Sequence, residues 1–464
     1  MNILTATILD RRFNVQLPGR WLAFAICIFL VPAEGQTDTL TKKLQAALNA
    51  RGCAAGAIDG LWGGSTASAL ARFNAAAGLN MARPTSEAQL SQVTESLATC
   101  PEGTAPDNAV GWFDFKARRD ALVAHPTYRT ALCNKLQPGT MPASPIDVVG
   151  HGTTHTIFNN PSKFGGEIYF IDQNISGWLS TGEDAYLDGL KGWMLRSAKA
   201  GSLLNVVPDP DKYRYIDPLF DLRFLLKPAF LAYDLLRQTG SLKKQEDRLL
   251  RTWLETVVRA SDKGGCEMAN YCDNRDANHT TLHRGTTFML WGTVSGNDRW
   301  VEKGIAHYEQ ALRALRSDGS NENDVRRQRE SGTGGSRGLR KQNQIVGYMV
   351  MIAEMGERLG LDLYEKKVRG RDVFKAFEFL VRGLEDDAVV KKHTGASWHG
   401  RPFLRNGSHV DETVAWFELF ASRFPEHDLT QRFAKIIGRR GTYKSPAYGG
   451  NLTCFAGKIG DGFY

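Results

Sequence analysis

Asn278 and His279 stand side by side, and further along the chain a cationic stretch carries Arg326, Arg327, Arg329, Arg337, Arg340 and Lys341. An amide, an imidazole and guanidinium groups are hydrogen-bond donors suited to gripping an anion and steadying negative charge as it develops. A lysine crowded by cations has its pKa lowered, which lets it act as a base. His279 and His283 are spaced i,i+4 on one helix face, as metal ligands can be. No carboxylate accompanies them in a zincin-like arrangement, so no metal is expected. Each motif has a plainer reading. Asn is a favoured helix cap and a histidine after it needs no role. The basic stretch contains Ser331–Ser336 (SGTGGS), a composition that suits a solvated loop. A flexible cationic segment is also what a lid over an acidic polymer requires, and that is the expectation adopted. His151 and His155 lie in a loop before the main helices, where facing a cleft and being incidental are equally open.

The elements that must hold these residues are helical. Leu219, Leu222, Leu226, Ala229, Phe230 and Tyr233 recur at i, i+3, i+4 and i+7, and that helix closes near Gly240. Val301, Ile305, Tyr308, Leu312 and Leu315 repeat the pattern up to Asp318-Gly319. Ile345, Tyr348, Met349, Ile352 and Met355 do so again, ending near Gly360. Helix after helix closed by glycine, from Trp112 to about Phe424, predicts an all-α domain of paired helices packed as an array or toroid. Before it, Leu40, Leu44, Ala47 and Leu48 mark a first helix. Thr66, with Ala69, Leu70 and Phe73 behind it, is read as the cap of a second. Pro101–Gly111 (PEGTAPDNAVG) is expected to be a linker.

The chain has 464 residues, enough for two or three domains, and its 42% hydrophobic and 23% charged residues exclude disordered and membrane-embedded classes. A net charge of +8 suits an anionic partner. Nucleic acid is not expected, because the basic stretch lacks interleaved aromatics. Arg11, Arg12 and Arg20 precede the apolar run Trp21–Pro32 and then Ala33, which reads as a cleavable secretory signal over residues 1–36. No later run reaches the apolar length of a membrane span, so no stable insertion is expected. The localisation expected is therefore periplasmic or secreted. Cys27 lies in that signal. The other six cysteines are expected to pair as Cys53–Cys100, Cys266–Cys272 and Cys133–Cys454.

Two resemblances add to this reading. Residues 37–100 contain Asp59-Gly60-Leu61-Trp62-Gly63 and then Thr66-x-x-Ala69-Leu70-x-x-Phe73. This resembles the peptidoglycan-binding-like domain, which implies peptidoglycan as a second partner. Residues 112–464 resemble the alginate lyase family through Ile175–Leu204, Phe220–Arg237 and Ala415–Pro425. Ala277-Asn278-His279 is similar to that family's Asn-Asn-His motif. Asp318-Gly319-Ser320 with Arg326-Arg327 is similar to its Asp-Gly-Thr-…-Glu-x-x-Arg-Gly motif. The resemblance implies an incomplete (α/α) toroid and a cofactor-free β-elimination on an acidic, uronate-containing polysaccharide. Asn278, His279 and Arg327 would neutralise the uronate carboxylate. Arg326, Arg337, Arg340, Trp193 and Tyr348 would bind substrate, Trp193 because its family column lies near the cleft.

The chain departs from the family where a base is needed. The family carries a Tyr at the end of an Arg-Gly-x-Arg-Ala-Leu-x-Tyr run. Here Arg337-Gly338-Leu339-Arg340 is followed by Lys341, and counting back from Met351-Ile352-Ala353-Glu354 puts Lys341 in the Tyr column. Lys341 is the first candidate for the base, ahead of a tyrosine elsewhere such as Tyr348, and of His279 itself. Trp178, Trp253 and Trp291 sit in helical patterns and are expected in the core. A cell-wall hydrolase would need clustered metal ligands, a Cys–His pair or a lone acidic catalyst, and none is recognisable. A non-catalytic periplasmic protein binding acidic glycans is the alternative that the missing Tyr favours.

Overall fold

A computed structural model describes residues 34–51, 53, 55, 58, 60, 62, 64–96, 98–100, 111–133, 138–146, 164–205, 222–267, 278–325, 336–394, 413–438 and 442–459. Residues 1–33 of the expected signal peptide, His151, His155, Arg326, Arg327, Cys272, Asp59, Gly63 and all of the expected linker but Gly111 lie outside them, whereas residues 34–36 of that expected signal begin the first helix.

Three helices, α1 (Glu34–Ala50), α2 (Gly64–Ala77) and α3 (Glu87–Glu95), form a small unit. Its core is Leu40, Leu44, Leu48, Ala69, Leu70, Phe73, Leu90 and Val93, closed by the Cys53–Cys100 disulfide. A second hydrophobic core runs from Trp112 to Phe455. Thr66 is not a cap. Helix α2 begins two residues earlier, and the buried Thr66 hydroxyl accepts a hydrogen bond from Gln45 Nε2 at 3.1 Å.

The larger unit runs α4 (Phe115–Ala124), α5 (Pro126–Cys133), α6 (Gly165–Thr181), α7 (Asp184–Lys199), α8 (Leu222–Gln238), α9 (Lys244–Glu267), α10 (His279–Ser295), α11 (Asp298–Arg313), α12 (Glu322–Val325), α13 (Ser336–Arg358), α14 (Val373–Glu385) and α15 (Asp387–Thr394). After these come α16 (Phe417–Arg423), α17 (Asp428–Ile437), two-residue strands β1 (Lys444–Ser445) and β2 (Gly450–Asn451), and α18 (Leu452–Ala456). Among the described residues no helix is long and apolar enough to cross a membrane.

Burial sorts the helices into two layers. In α8 every residue from Leu222 to Leu236 is buried, and α10 is nearly as enclosed. A helix covered on all sides belongs inside. Helix α11 instead buries one stripe, Trp300, Val301, Gly304, Tyr308, Ala311 and Leu312, and α14 does likewise. The inner helices touch in succession, α6 on α8, α8 on α10 and α10 on α13. Their partners α7, α11 and α14 cover them from outside. Helices α10 and α11 approach closely because of glycine: a Cβ on Gly292 would come within 2.5 Å of the Val301 backbone nitrogen. Helix α11 ends at Arg313, before the expected Asp318-Gly319, because the chain turns there into a short antiparallel bridge, Leu315 to Asn321. Gly319, at φ +91°, makes that turn.

The C-terminal segment closes the assembly. The turn between β1 and β2 lies on α8 and seats Tyr448 with its ring 5.6 Å from that of Tyr348. The expected Cys133–Cys454 disulfide is present and joins α5 to α18. Arg118 of α4 adds bonds to the carbonyls of Cys454 at 2.7 Å and Thr453 at 3.1 Å.

Candidate active site

Asn278 is the N-cap of α10. Its Oδ1 accepts from Thr280 N at 2.9 Å and Thr281 N at 3.1 Å, while Thr281 Oγ1 accepts from Asn278 N at 2.9 Å. This reciprocal capping box satisfies backbone donors that the first helical turn leaves open. It does not use the other half of the amide. Nδ2 of Asn278 is buried with no hydrogen-bond partner. A buried donor left unsatisfied costs on the order of 1–3 kcal/mol, so Nδ2 is a donor that a water or a bound group would satisfy.

His279 follows as the first helical residue and is 6% exposed. Asp324 receives it twice: Oδ2 accepts from the His279 backbone N–H at 2.7 Å, and Oδ1 lies 2.8 Å from Nδ1. Burial alone would raise the Asp324 pKa, but the charge and hydrogen bonds of His279 outweigh it and hold the carboxyl below its ordinary value. An ionised Asp324 accepts the hydrogen bond at Nδ1 and so turns Nε2 toward the opposite side. On that side stands Lys341, with Nζ 2.8 Å from His279 Nε2. Lys341 also donates to Gln344 Oε1 at 3.2 Å.

The loop that delivers Asp324 is tied down at several points. Asn321 Oδ1 accepts from the backbones of Asn323 and Asp324 at 3.0 and 3.1 Å. The Asn321 N–H donates to Gln342 Oε1 at 2.8 Å. Gln342 Nε2 reaches back to the carbonyls of Gly319 at 3.0 Å and Ala376 at 3.1 Å. Asp318 accepts from the backbone and hydroxyl of Ser320 and lies 2.7 Å from His393 Nε2 on α15. Burial works against ionisation there, yet the Ser320 and His393 hydrogen bonds bring the Asp318 pKa down to about 2.

Behind His279 lies a second histidine. His283 is fully buried, with its ring stacked on Tyr348 at 5.1 Å and 4.5 Å from the ring of Phe224. Burial pushes its pKa well down, helped by the charges of Lys227, Arg223 and His279. Lys227 is itself fully buried, its ammonium nitrogen without a hydrogen-bond partner and 5.7 Å from the Tyr348 ring. Burial, then the neighbouring Arg223, drives its pKa far below the lysine value. Burial also raises the Tyr348 pKa against the opposing charge of Arg223, so its phenol is a poor base near neutrality.

The structure thus brings Asn278, His279 and Lys341 together and adds Asp324 and Gln344, which the sequence reading did not single out. Arg340 is exposed on α13, and Arg337 lies in the first turn of that helix, where side chains are not described. Trp193 is elsewhere: it packs edge-on against Trp253, ring centres 6.4 Å apart, and is 3% exposed. It offers no open face to a sugar. Trp178, Trp253 and Trp291 are core residues, as their patterns imply. Cys266 falls at the end of α9, where side chains are not described, so its pairing with Cys272 lies outside the described residues.

Comparison with known proteins agrees with the fold. The profile of the alginate lyase family matches residues 216–389, a span reaching from α8 into α15. No curated protein sequence matches the chain. Among solved structures, alginate lyase A1-III from Sphingomonas species A1 superposes with a TM-score of 0.62 at 22% identity, covering 76% of this chain and 96% of that one. A tyrosine-to-phenylalanine variant of alginate lyase A1-III, complexed with a tetrasaccharide, gives 0.63 at 22%, covering 77% and 98%. An alginate lyase from Bacteroides ovatus gives 0.52 at 12%, covering 74% and 98%. The chain shares their helical toroid.

Proposed function

We propose that this site performs β-elimination on a uronate-containing acidic polysaccharide, with alginate the first substrate to test. The observation that carries the proposal is one helix end, where the unpartnered Nδ2 of Asn278 stands next to the Asp324–His279–Lys341 chain. Elimination removes the proton at C5 of a uronate, beside a carboxylate whose negative charge resists it. The orphan amide donor, with Arg327 as expected from the sequence, would neutralise that carboxylate and the enolate-like species that follows. Neutral Lys341 would take the C5 proton. The C–H electrons form the C4=C5 double bond, the C4–O4 bond breaks, and the proton passes from the Lys341 ammonium to O4. The ionised Asp324 behind His279 would stabilise positive charge as it develops on Lys341. This reaction calls for no cofactor. The basic, signal-like residues 1–36 support a periplasmic or secreted location. The small α1–α3 unit, by its motif, supports peptidoglycan as an additional ligand.

The purified protein should be incubated with polymannuronate, polyguluronate, glucuronan and polygalacturonate while following the ultraviolet absorbance of the conjugated, unsaturated uronate. One polymer should give a rising signal. His279→Ala and Lys341→Met should lower it by about 100-fold or more. No product from any polymer, with glycan binding retained, would replace the lyase with a non-catalytic acidic-glycan-binding protein.

A further inference from the structure

We propose that a crevice at the C-terminal end of α13 is a second glycan-binding site, taking a uronate unit of the acidic polymer; the class of that ligand rests on the lyase reading. The crevice has a volume of about 470 Å³, inside the roughly 300–1,000 Å³ range of ligand pockets. It opens where α4, the end of α13, α16 and α18 meet. Lys341 and Arg358, which lines the crevice, both belong to α13, and the helical rise sets them about 25 Å apart. The crevice is therefore no part of the active site.

Its floor is apolar. The rings of Trp112 and Phe113 stack 4.4 Å apart, and Phe455 lies 5.7 Å from Phe113. Three guanidinium groups line it as well, those of Arg118, Arg358 and Arg423, and they are not equivalent. Arg423 is already committed: Nε and Nη2 donate to the two carboxylate oxygens of Glu354 at 2.5 and 2.9 Å, and Nη1 donates to Glu357 at 3.3 Å. That pairing neutralises the lining carboxylate of Glu354. The other lining acid, Asp114, caps α4 by accepting from Ala117 N at 2.9 Å, so the helix N-terminus offsets its charge. Arg118 uses Nε and Nη2 on the carbonyls of Cys454 and Thr453, which leaves Nη1 without a hydrogen bond. Burial lowers the Arg118 pKa to about 10 even with the charge of Glu418 opposing it, so an incoming anion would stabilise this guanidinium. Arg358 is exposed and makes no hydrogen bond or ion pair with a described residue. Two guanidiniums with donors to spare above an apolar floor match a sugar acid: the carboxylate meets the planar forks and the C–H face of the ring covers the apolar side. A neutral sugar would leave those donors unpaired. A polymer engaged here and at the active site would be held by two weak grips acting together.

Calorimetric titration of the full chain with tetramannuronate tests this, with Lys341→Met in place so that turnover does not intrude. Adding Arg358→Glu should remove one equivalent of bound tetrasaccharide per chain, its affinity falling about ten-fold or more. Arg358 is exposed, so the substitution leaves the fold in place, and the binding that remains in the variant confirms it. Mannotetraose, the neutral counterpart, should not fill the Arg358-dependent equivalent. If the wild type cleaves no polymer yet that equivalent is present and lost in Arg358→Glu, the second site stands and the lyase reading falls. Equal stoichiometry with and without Arg358→Glu would overturn the second site. Loss of all binding in Arg358→Glu would overturn it too, because the two sites would then not be separate. Equal filling by mannotetraose would overturn the assignment to a uronate.

Discussion

Asn278 has two tasks in one side chain, and they are chemically separable. The oxygen holds the start of α10, and the nitrogen is buried with nothing to bond. Aspartate caps a helix as well as asparagine does but has no donor. Asn278→Asp should therefore leave stability within about 0.5 kcal/mol of wild type in chemical denaturation. Its kcat/KM on the preferred polymer should fall about 100-fold. Equal activity would mean that the nitrogen does not meet substrate. The resemblance to the family's Asn-Asn-His motif singled out Asn278 and His279, the count back from Met351-Ile352-Ala353-Glu354 singled out Lys341, and the fold sets Lys341 against His279. The sequence reading passed over Asp324, although an acid three residues before Arg327 fills the Glu place of the family's Glu-x-x-Arg pattern. Gln344 was hidden by a choice of register: counted forward from Arg337, the Tyr place of the Arg-Gly-x-Arg run falls on Gln344 and not on Lys341. The fold makes both counts informative by bonding the two side chains.

At the scale of elements, the site depends on how α10 is seated between α8, α11 and α13. Gly292 and Gly304 let α11 lie almost backbone to backbone against α10. A methyl group at 292 would meet the Val301 nitrogen and the Trp300 carbonyl carbon, atoms of a helix that cannot rotate aside. Gly292→Ala should cost about 1–3 kcal/mol in a denaturation experiment. It should also lower kcat, since α10 carries His279 with it when it shifts. Periodicity made these helices legible, because a stripe every 3.6 residues survives in any context. Helix ends were less legible. Thr66 looks like a cap but is held inside α2 by Gln45, and the end of α11 is decided by a bridge to Asn321 rather than by the glycine beyond it. Trp193 shows the same limit: only the packing of α7 on α9 assigns its ring to Trp253.

For the whole molecule, the beginning and end of the larger unit are drawn together by covalent and polar ties between α4, α5 and α18. The bridge from Cys133 to Cys454 spans 321 residues, and it holds the segment that packs Tyr448 against the inner helices. Replacing both cysteines by serine should reduce stability by about 2–5 kcal/mol, measured by denaturant titration, and lower the temperature at which activity is lost. Two of the three expected pairings were legible from domain position. The same bridge also dictates a timetable. During synthesis Cys53 and Cys100 are both available early, and Cys133 follows soon after them, whereas its proper partner is made 321 residues later. A cell that oxidises thiols in order of appearance would join Cys53 to Cys100 correctly but would offer Cys133 first to Cys266 and Cys272, which are made before Cys454. The chain therefore needs either shielding of Cys133 until Cys454 arrives or an isomerase that can undo an early mistake.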